Sequence, residues 1–179
     1  MMWIALIAAG IKEQGHDSIT CATALALLQD PGNAVKEWTR QLLLKGGRLT
    51  AGVSTRDSLL VGLVLEEVQR ELGISVPYYR TWVNSLQSLI RLFADAGLAV
   101  ERAWKVEGYV GGQEYGAKDG REVFQKMIEG EGGAMRTLVD EDRIEEVREA
   151  FVQSWRKRGD ADGRVREGDG FCVVIGRKA

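Results

Sequence analysis

The chain has few of the residues that build disulfide frameworks and metal sites. Its 179 residues include two cysteines and one histidine. Cys21 and Cys172 lie far apart inside apolar runs, which is typical of buried, reduced thiols. The sequence therefore predicts no metal centre and no disulfide, and it favours a reducing cytoplasm.

Long apolar runs and a surplus of one charge are also missing. No segment reaches the roughly 20 uninterrupted apolar residues of a membrane-spanning helix. Residues 1–9 are apolar but lack a basic start, and the run breaks at Lys12 and Glu13, so they do not predict a secretion signal. The 24 basic residues are scattered and balanced by 26 acidic ones. We therefore expect no membrane and no nucleic acid as a partner.

The apolar residues that are present predict one α/β domain over residues 1–179. Residues 18–23 are uncharged and rich in β-branched side chains, which predicts a parallel strand covered on both faces. Asp30 and Pro31 predict the start of a helix that runs to about Leu43. Lys45-Gly46-Gly47 then turns the chain into a second strand, residues 48–53.

Further helices and strands follow in alternation. From Asp57 a helix buries one apolar face, with Glu66, Glu67, Arg70 and Glu71 predicted on its outer face. Another helix from about residue 85 ends at Gly97 and leads into a strand over residues 98–106. Residues 108–158, glycine-rich and then helical, are predicted to form a helical insertion or cap before a last strand at residues 171–175.

Four segments together resemble a known family. Residues 15–22 with 27–31 are similar to a turn that enters a strand, and residues 42–49 read Leu-Leu-Leu-Lys-Gly-Gly-Arg-Leu, similar to the turn into the next strand. Residues 89–100 and 168–173 are similar to the closing helix and strands. In this order they resemble the C-terminal two-thirds of class I S-adenosylmethionine (SAM) dependent methyltransferases of the small-molecule type.

The resemblance implies a fold and a function. The fold would be an incomplete Rossmann-like methyltransferase sheet, with strands four to seven plus a partial third and a helical insertion before the last strand. SAM would be the cofactor and a small molecule the methyl acceptor. Cys21, Ala22 and Thr23, at the carboxyl end of a strand, would lie near the cofactor, or they would only pack in the core.

Aromatic residues and the single histidine suggest further candidates. Tyr79, Trp82 and Tyr109 could form an aromatic wall for the acceptor, or they could serve ordinary packing. His16 could act as a general base or be a turn residue that enters a strand. No catalytic residue can be assigned from the sequence.

The sequence also departs from the family. It contains no Gly-x-Gly-x-Gly turn, and Ile7 stands where relatives carry an aspartate that approaches adenine. Three explanations remain open: a truncated gene model, an inactive enzyme, or a half-domain completed by a partner chain. The alternative function is a non-catalytic remnant of the fold that associates with itself or with a paralogue through an exposed sheet edge.

Overall fold

The computed structural model describes residues 15–76, 82, 85–108, 112–129 and 139–179. Within these ranges the strands are β1 (His16–Ala22), β2 (Leu43–Ser54), β3 (Leu98–Val106), β4 (Gln113–Gly116), β5 (Arg164–Glu167) and β6 (Phe171–Lys178). The α-helices are α1 (Pro31–Glu37), which continues as a π-helix (Trp38–Leu42), α2 (Leu60–Glu71), α3 (Leu86–Asp95), α4 (Gly120–Glu129) and α5 (Ile144–Arg156). The predicted α/β class is confirmed.

Four of the strands form a mixed sheet in the order β1-β2-β6-β3. β1 and β2 are parallel, and β6 runs antiparallel to both of its neighbours, β2 and β3. β1, β2 and β3 therefore point in the same direction, and their carboxyl ends meet at one edge of the sheet, where β6 begins.

The main core lies on one face of this sheet, under α1 and α3. Asp30 caps α1 by accepting a hydrogen bond from the Asn33 amide at 2.8 Å, and Pro31 occupies the first turn, as predicted. In α3, Leu89 and Phe93 are fully buried. Gly97 ends α3 with a φ of +78°, which confirms the predicted stop.

The opposite face of the sheet is covered by none of the helices described. Ser18, Thr20 and Ala22 of β1 are exposed, Val173 and Ile175 of β6 are only half-buried, and Trp104 of β3 is 40% exposed. This differs from the prediction that β1 is covered on both faces. Leu25, Val35, Leu89 and Phe93, all from helical segments, pack in the main core on the other side of the sheet.

A second core joins α2, α4, α5 and β5. Val64 and Val68 of α2 pack with Phe124 of α4 and with Phe151 and Trp155 of α5. The predicted outer face of α2 is wrong at one position. The side chain of Glu66 is fully buried and pairs with Arg70 at 3.1 Å, because α2 is enclosed by other helices on more than one side.

Two features of the strands differ from the prediction. β2 begins at Leu43, five residues before the predicted start at Arg48, and Gly46, with a φ of +79°, lies within it. His16 is opposite Leu43 while Ser18 is opposite Arg48, so the glycines form a bulge and not a helix-ending turn. β4 and β5 pair as a separate two-stranded sheet that was not predicted, since each strand has only four residues.

Candidate site at the carboxyl edge of the sheet

The carboxyl ends of β1, β2 and β3 bring three loops together, and we call this region the carboxyl edge. It comprises Thr23 after β1, Thr55 after β2, Gly108 after β3 and the Asp169-Gly170 approach to β6. Ligands of open α/β sheets bind at such edges, because the loops there are exposed while the strands hold them in place. The carboxyl edge is therefore the candidate functional site.

The predicted cofactor residues Cys21, Ala22 and Thr23 occupy this edge with different exposures. Cys21 is 7% exposed and its side chain lies in the main core. Burial raises the pKa of its thiol, although hydrogen bonds from the backbone of Leu25 and Ala24 oppose that shift. Ala22 and Thr23 are exposed. A ligand at the edge could therefore contact Ala22 and Thr23 directly, with Cys21 beneath them.

Thr23 has an unusual backbone conformation. Its φ of +60° is the only positive φ at a non-glycine residue in the described ranges. Its amide donates to the carbonyl of Gly52 at 2.8 Å, and its hydroxyl donates to the carbonyl of Ala22 at 2.7 Å. A β-branched residue rarely adopts this conformation, and such strain is concentrated at functional sites.

Thr55 and Ser58, which the sequence did not mark as site residues, hold the β2 loop to the start of β6. The Thr55 amide donates to the carbonyl of Gly170 at 2.8 Å, and the Ser58 hydroxyl donates to that same carbonyl at 2.8 Å. The Gly108 amide donates to the carboxylate of Asp169 at 3.0 Å. The β2 loop and the β3 loop are thus both held to the approach to β6, so a ligand would meet a surface there that is already formed.

The other predicted candidates lie elsewhere. Trp82 is half-buried against the main core, and its buried indole N–H has no partner in the described part of the chain. Tyr79 and Tyr109 fall outside the described residues. His16 begins β1, so it stands at the far end of that strand, about 20 Å from Thr23 by strand rise. That distance separates it from any reaction at the carboxyl edge.

A separate cleft of about 460 Å³ opens between α2, β4 and α4. Val61, Val123 and Met127 form its apolar part, and residues of β4 form a polar side. The sequence reasoning missed it because β4 was not predicted. In the ranges that the structure describes, no group of His, Cys, Asp or Glu side chains is arranged to hold a metal ion. The described helices also include none long and apolar enough to cross a membrane.

No family model matches the sequence, and no curated protein matches it. Solved structures do match. A Bacillus halodurans protein assigned as a methyltransferase superposes with a TM-score of 0.51 at 15% identity, over 93% of this chain and 71% of that one. The chain has the fold of the class I SAM-dependent methyltransferases.

Other solved structures match more loosely. The YcgJ protein from Bacillus subtilis has a TM-score of 0.47 at 18% identity, over 93% of this chain and 65% of its own. Loganic acid methyltransferase, solved with SAH, has a TM-score of 0.48 at 12% identity, over 94% of this chain and 63% of its own. The chain thus spans less than two-thirds of the length of these two proteins.

The residues at the edge fit part of the cofactor of this methyltransferase fold. Ala22, Ala24 and Leu27 are exposed apolar residues at and just after the end of β1, with Leu27 54% exposed, and we call them the apolar shelf. A planar base could pack on this shelf by apolar contact. Both donors of Thr23 are already used by Gly52 and Ala22, so only its oxygen atoms, as acceptors, could bind ribose hydroxyls. The shelf therefore offers the apolar contact that an adenine ring needs.

Proposed function

We propose that this chain is part of a SAM-dependent methyltransferase acting on a small-molecule acceptor. The observation that carries the proposal is the antiparallel β6 inserted between β2 and β3, with an exposed carboxyl edge beside it. β1, β2, β3 and β6 would then correspond to strands four, five, six and seven of the family. Residues 1–179 would form a partial domain.

The parts of the chain would have separate roles. Cys21, Ala22 and Thr23, with the apolar shelf, would hold the adenine end of SAM, which supplies the methyl group. Residues 108–158, joined to α2 through the second core, would form a cap over the acceptor, where Tyr79, Trp82 and Tyr109 remain proposed contacts. We assign no general base, since holding donor and acceptor in line can supply much of the rate.

Calorimetric titration of SAM into the purified chain tests this proposal, after circular dichroism has confirmed that the chain is folded. We expect saturable binding in the micromolar range. Ala22→Arg places a bulky charge on the apolar shelf and should weaken binding at least tenfold. Ser18→Arg is the matched control, because Ser18 is exposed on the same face of β1, four residues from Ala22. A folded chain that does not bind SAM would refute the proposal for this chain.

A second function is supported by the exposed side of the sheet. In the described ranges β1 and β3 are edge strands, and the face with Trp104, Val173 and Ile175 is covered by no helix. Uncovered strands and apolar faces are common places for protein association. On this alternative the chain is a non-catalytic module that binds another copy of itself or a paralogue. Association without SAM binding would favour it.

A further inference from the structure

We propose that the 460 Å³ cleft between α2, β4 and α4 binds a small organic amine with an apolar body. The volume is within the range of small-molecule sites. Binding of an amine there follows from the cleft alone.

The apolar part of the cleft is fixed by the second core. Val123 is 7% exposed and lies in the turn of α4 that packs on α5, while Val61 comes from the first turn of α2. Met127 follows Val123 by one helical turn and lines the same wall. A hydrocarbon or aromatic group of a ligand could be removed from water by packing against these three side chains.

The lining of the cleft has more acidic than basic side chains. Among the described residues, Glu114, Asp119 and Glu122 line it against one basic residue, Lys126. Arg164 and Arg166 both bind Glu114, the latter at 3.1 Å, and they neutralise that carboxylate from outside the cleft. Lys126 pairs with Glu122 at 2.7 Å. Asp119 accepts a hydrogen bond from the Gly116 amide at 2.9 Å, and its charge also acts on the Lys126 ammonium, whose closer partner is Glu122.

Tyr115 provides a rigid aromatic wall beside these charges. Its ring packs edge-on against Trp155, with centroids 5.4 Å apart and planes at 78°. Its hydroxyl lies within hydrogen-bond distance of Gln113, and of Glu167 at 3.2 Å. Burial and the charge of Glu167 raise the pKa of Tyr115 to about 12, so the phenol keeps its proton. An ammonium group between Asp119 and this ring would have both an ion pair and an aromatic contact.

The test uses phenethylamine as the probe and 2-phenylethanol as its uncharged counterpart, titrated without SAM and followed by amide NMR shifts. We expect phenethylamine to bind in the low millimolar range, at least fivefold more tightly than 2-phenylethanol, with shifts concentrated in α4 and β4. Asp119→Asn should remove that difference. Asp95→Asn, an exposed carboxylate at the end of α3, is the control and should change nothing.

A second variant tests the apolar part. Val61→Trp fills the cleft and should weaken both probes. Equal affinity for the two probes, or binding unchanged in Asp119→Asn, would overturn the inference. Because SAM is not present in these titrations, loss of amine binding with intact SAM binding would count against the cleft alone, and the reverse result would count against the proposed cofactor site alone.

Discussion

At the scale of single residues, Thr23 belongs both to the turn that ends β1 and to the candidate site. Its positive φ closes the turn after β1, and two hydrogen bonds, to Gly52 and Ala22, hold it there. A left-handed conformation costs a β-branched residue roughly 1–2 kcal/mol. The surrounding contacts must offset that cost, so the residue carries strain at the place where we propose that the cofactor packs.

Thr23→Gly should therefore stabilise the protein by about 1 kcal/mol, because glycine adopts positive φ without steric cost. Urea denaturation measures the change in the free energy of unfolding. Thr23→Ala is the matched variant, since it keeps the strain and removes the hydroxyl, and it should not stabilise. If Thr23→Gly destabilises the protein, the turn does not carry the strain that we infer.

The raised pKa of Tyr115 predicts that the protein loses stability at high pH. An unfolded phenol titrates near a pKa of about 10, whereas burial and Glu167 raise the folded pKa of Tyr115 to about 12. The protonated phenol therefore contributes stability that is fully present below the unfolded pKa. That stability is lost as pH rises through the folded pKa.

The free energy of unfolding should accordingly fall more steeply in this high-pH window for the wild type than for Tyr115→Phe, as measured by urea denaturation at a series of pH values. Below the window the two slopes should coincide. Identical slopes throughout would mean that Tyr115 titrates as an ordinary exposed phenol.

At the scale of elements, β2 and β6 pack closely because Gly52 of β2 has no side chain. A Cβ on Gly52 would clash with the ring of Phe171, so the aromatic ring occupies the space that any other residue would fill. Gly52 and Phe171 therefore form one packing unit on the uncovered face of the sheet. Neither position can be changed without regard to the other.

Gly52→Ala should destabilise the protein by about 1–3 kcal/mol through this clash. Adding Phe171→Leu should recover part of the loss, because a smaller side chain vacates the space. Gly32→Ala in α1 is the control: its Cβ would come no closer than 3.5 Å to Asp30, so it should be neutral or slightly stabilising. Thermal unfolding of the four variants and wild type gives the comparison, and additive effects of Gly52→Ala and Phe171→Leu would contradict the clash.

At the scale of the whole molecule, the two cores are unequally enclosed. The second core is surrounded by α2, α4, α5 and β5, whereas the main core has helices on one face of the sheet only among the described elements. The other face exposes Trp104 beside the half-buried Val173 and Ile175. Such a face gains free energy when it is removed from water.

The chain should therefore self-associate in the micromolar range, as measured by sedimentation velocity across a dilution series. Trp104→Glu puts a charge on this face and should shift the equilibrium towards monomer at least fivefold. Leu27→Glu is the control, because Leu27 is the more exposed side chain but lies on the turn after β1. A monomer at every concentration would show that this face does not drive association.

Much of the fold could be predicted from the sequence, since local patterns determine local structure. Asp30-Pro31 predicts the start of α1, Gly97 predicts the end of α3, and residues 98–106 were predicted as a strand with the bounds that β3 has. Capping side chains and glycines act within a few residues, so their effects can be predicted without knowing the rest of the chain.

Only the tertiary structure decided the remaining features. Glu66 is polar by composition but buried by the helices around α2, and β4 is too short to be predicted until β5 pairs with it. The cleft beside Asp119 and the strained turn at Thr23 also require segments far apart in the chain to meet. Local preference determines each element, but burial, pairing and charge balance depend on contacts between elements, which no single stretch of sequence contains.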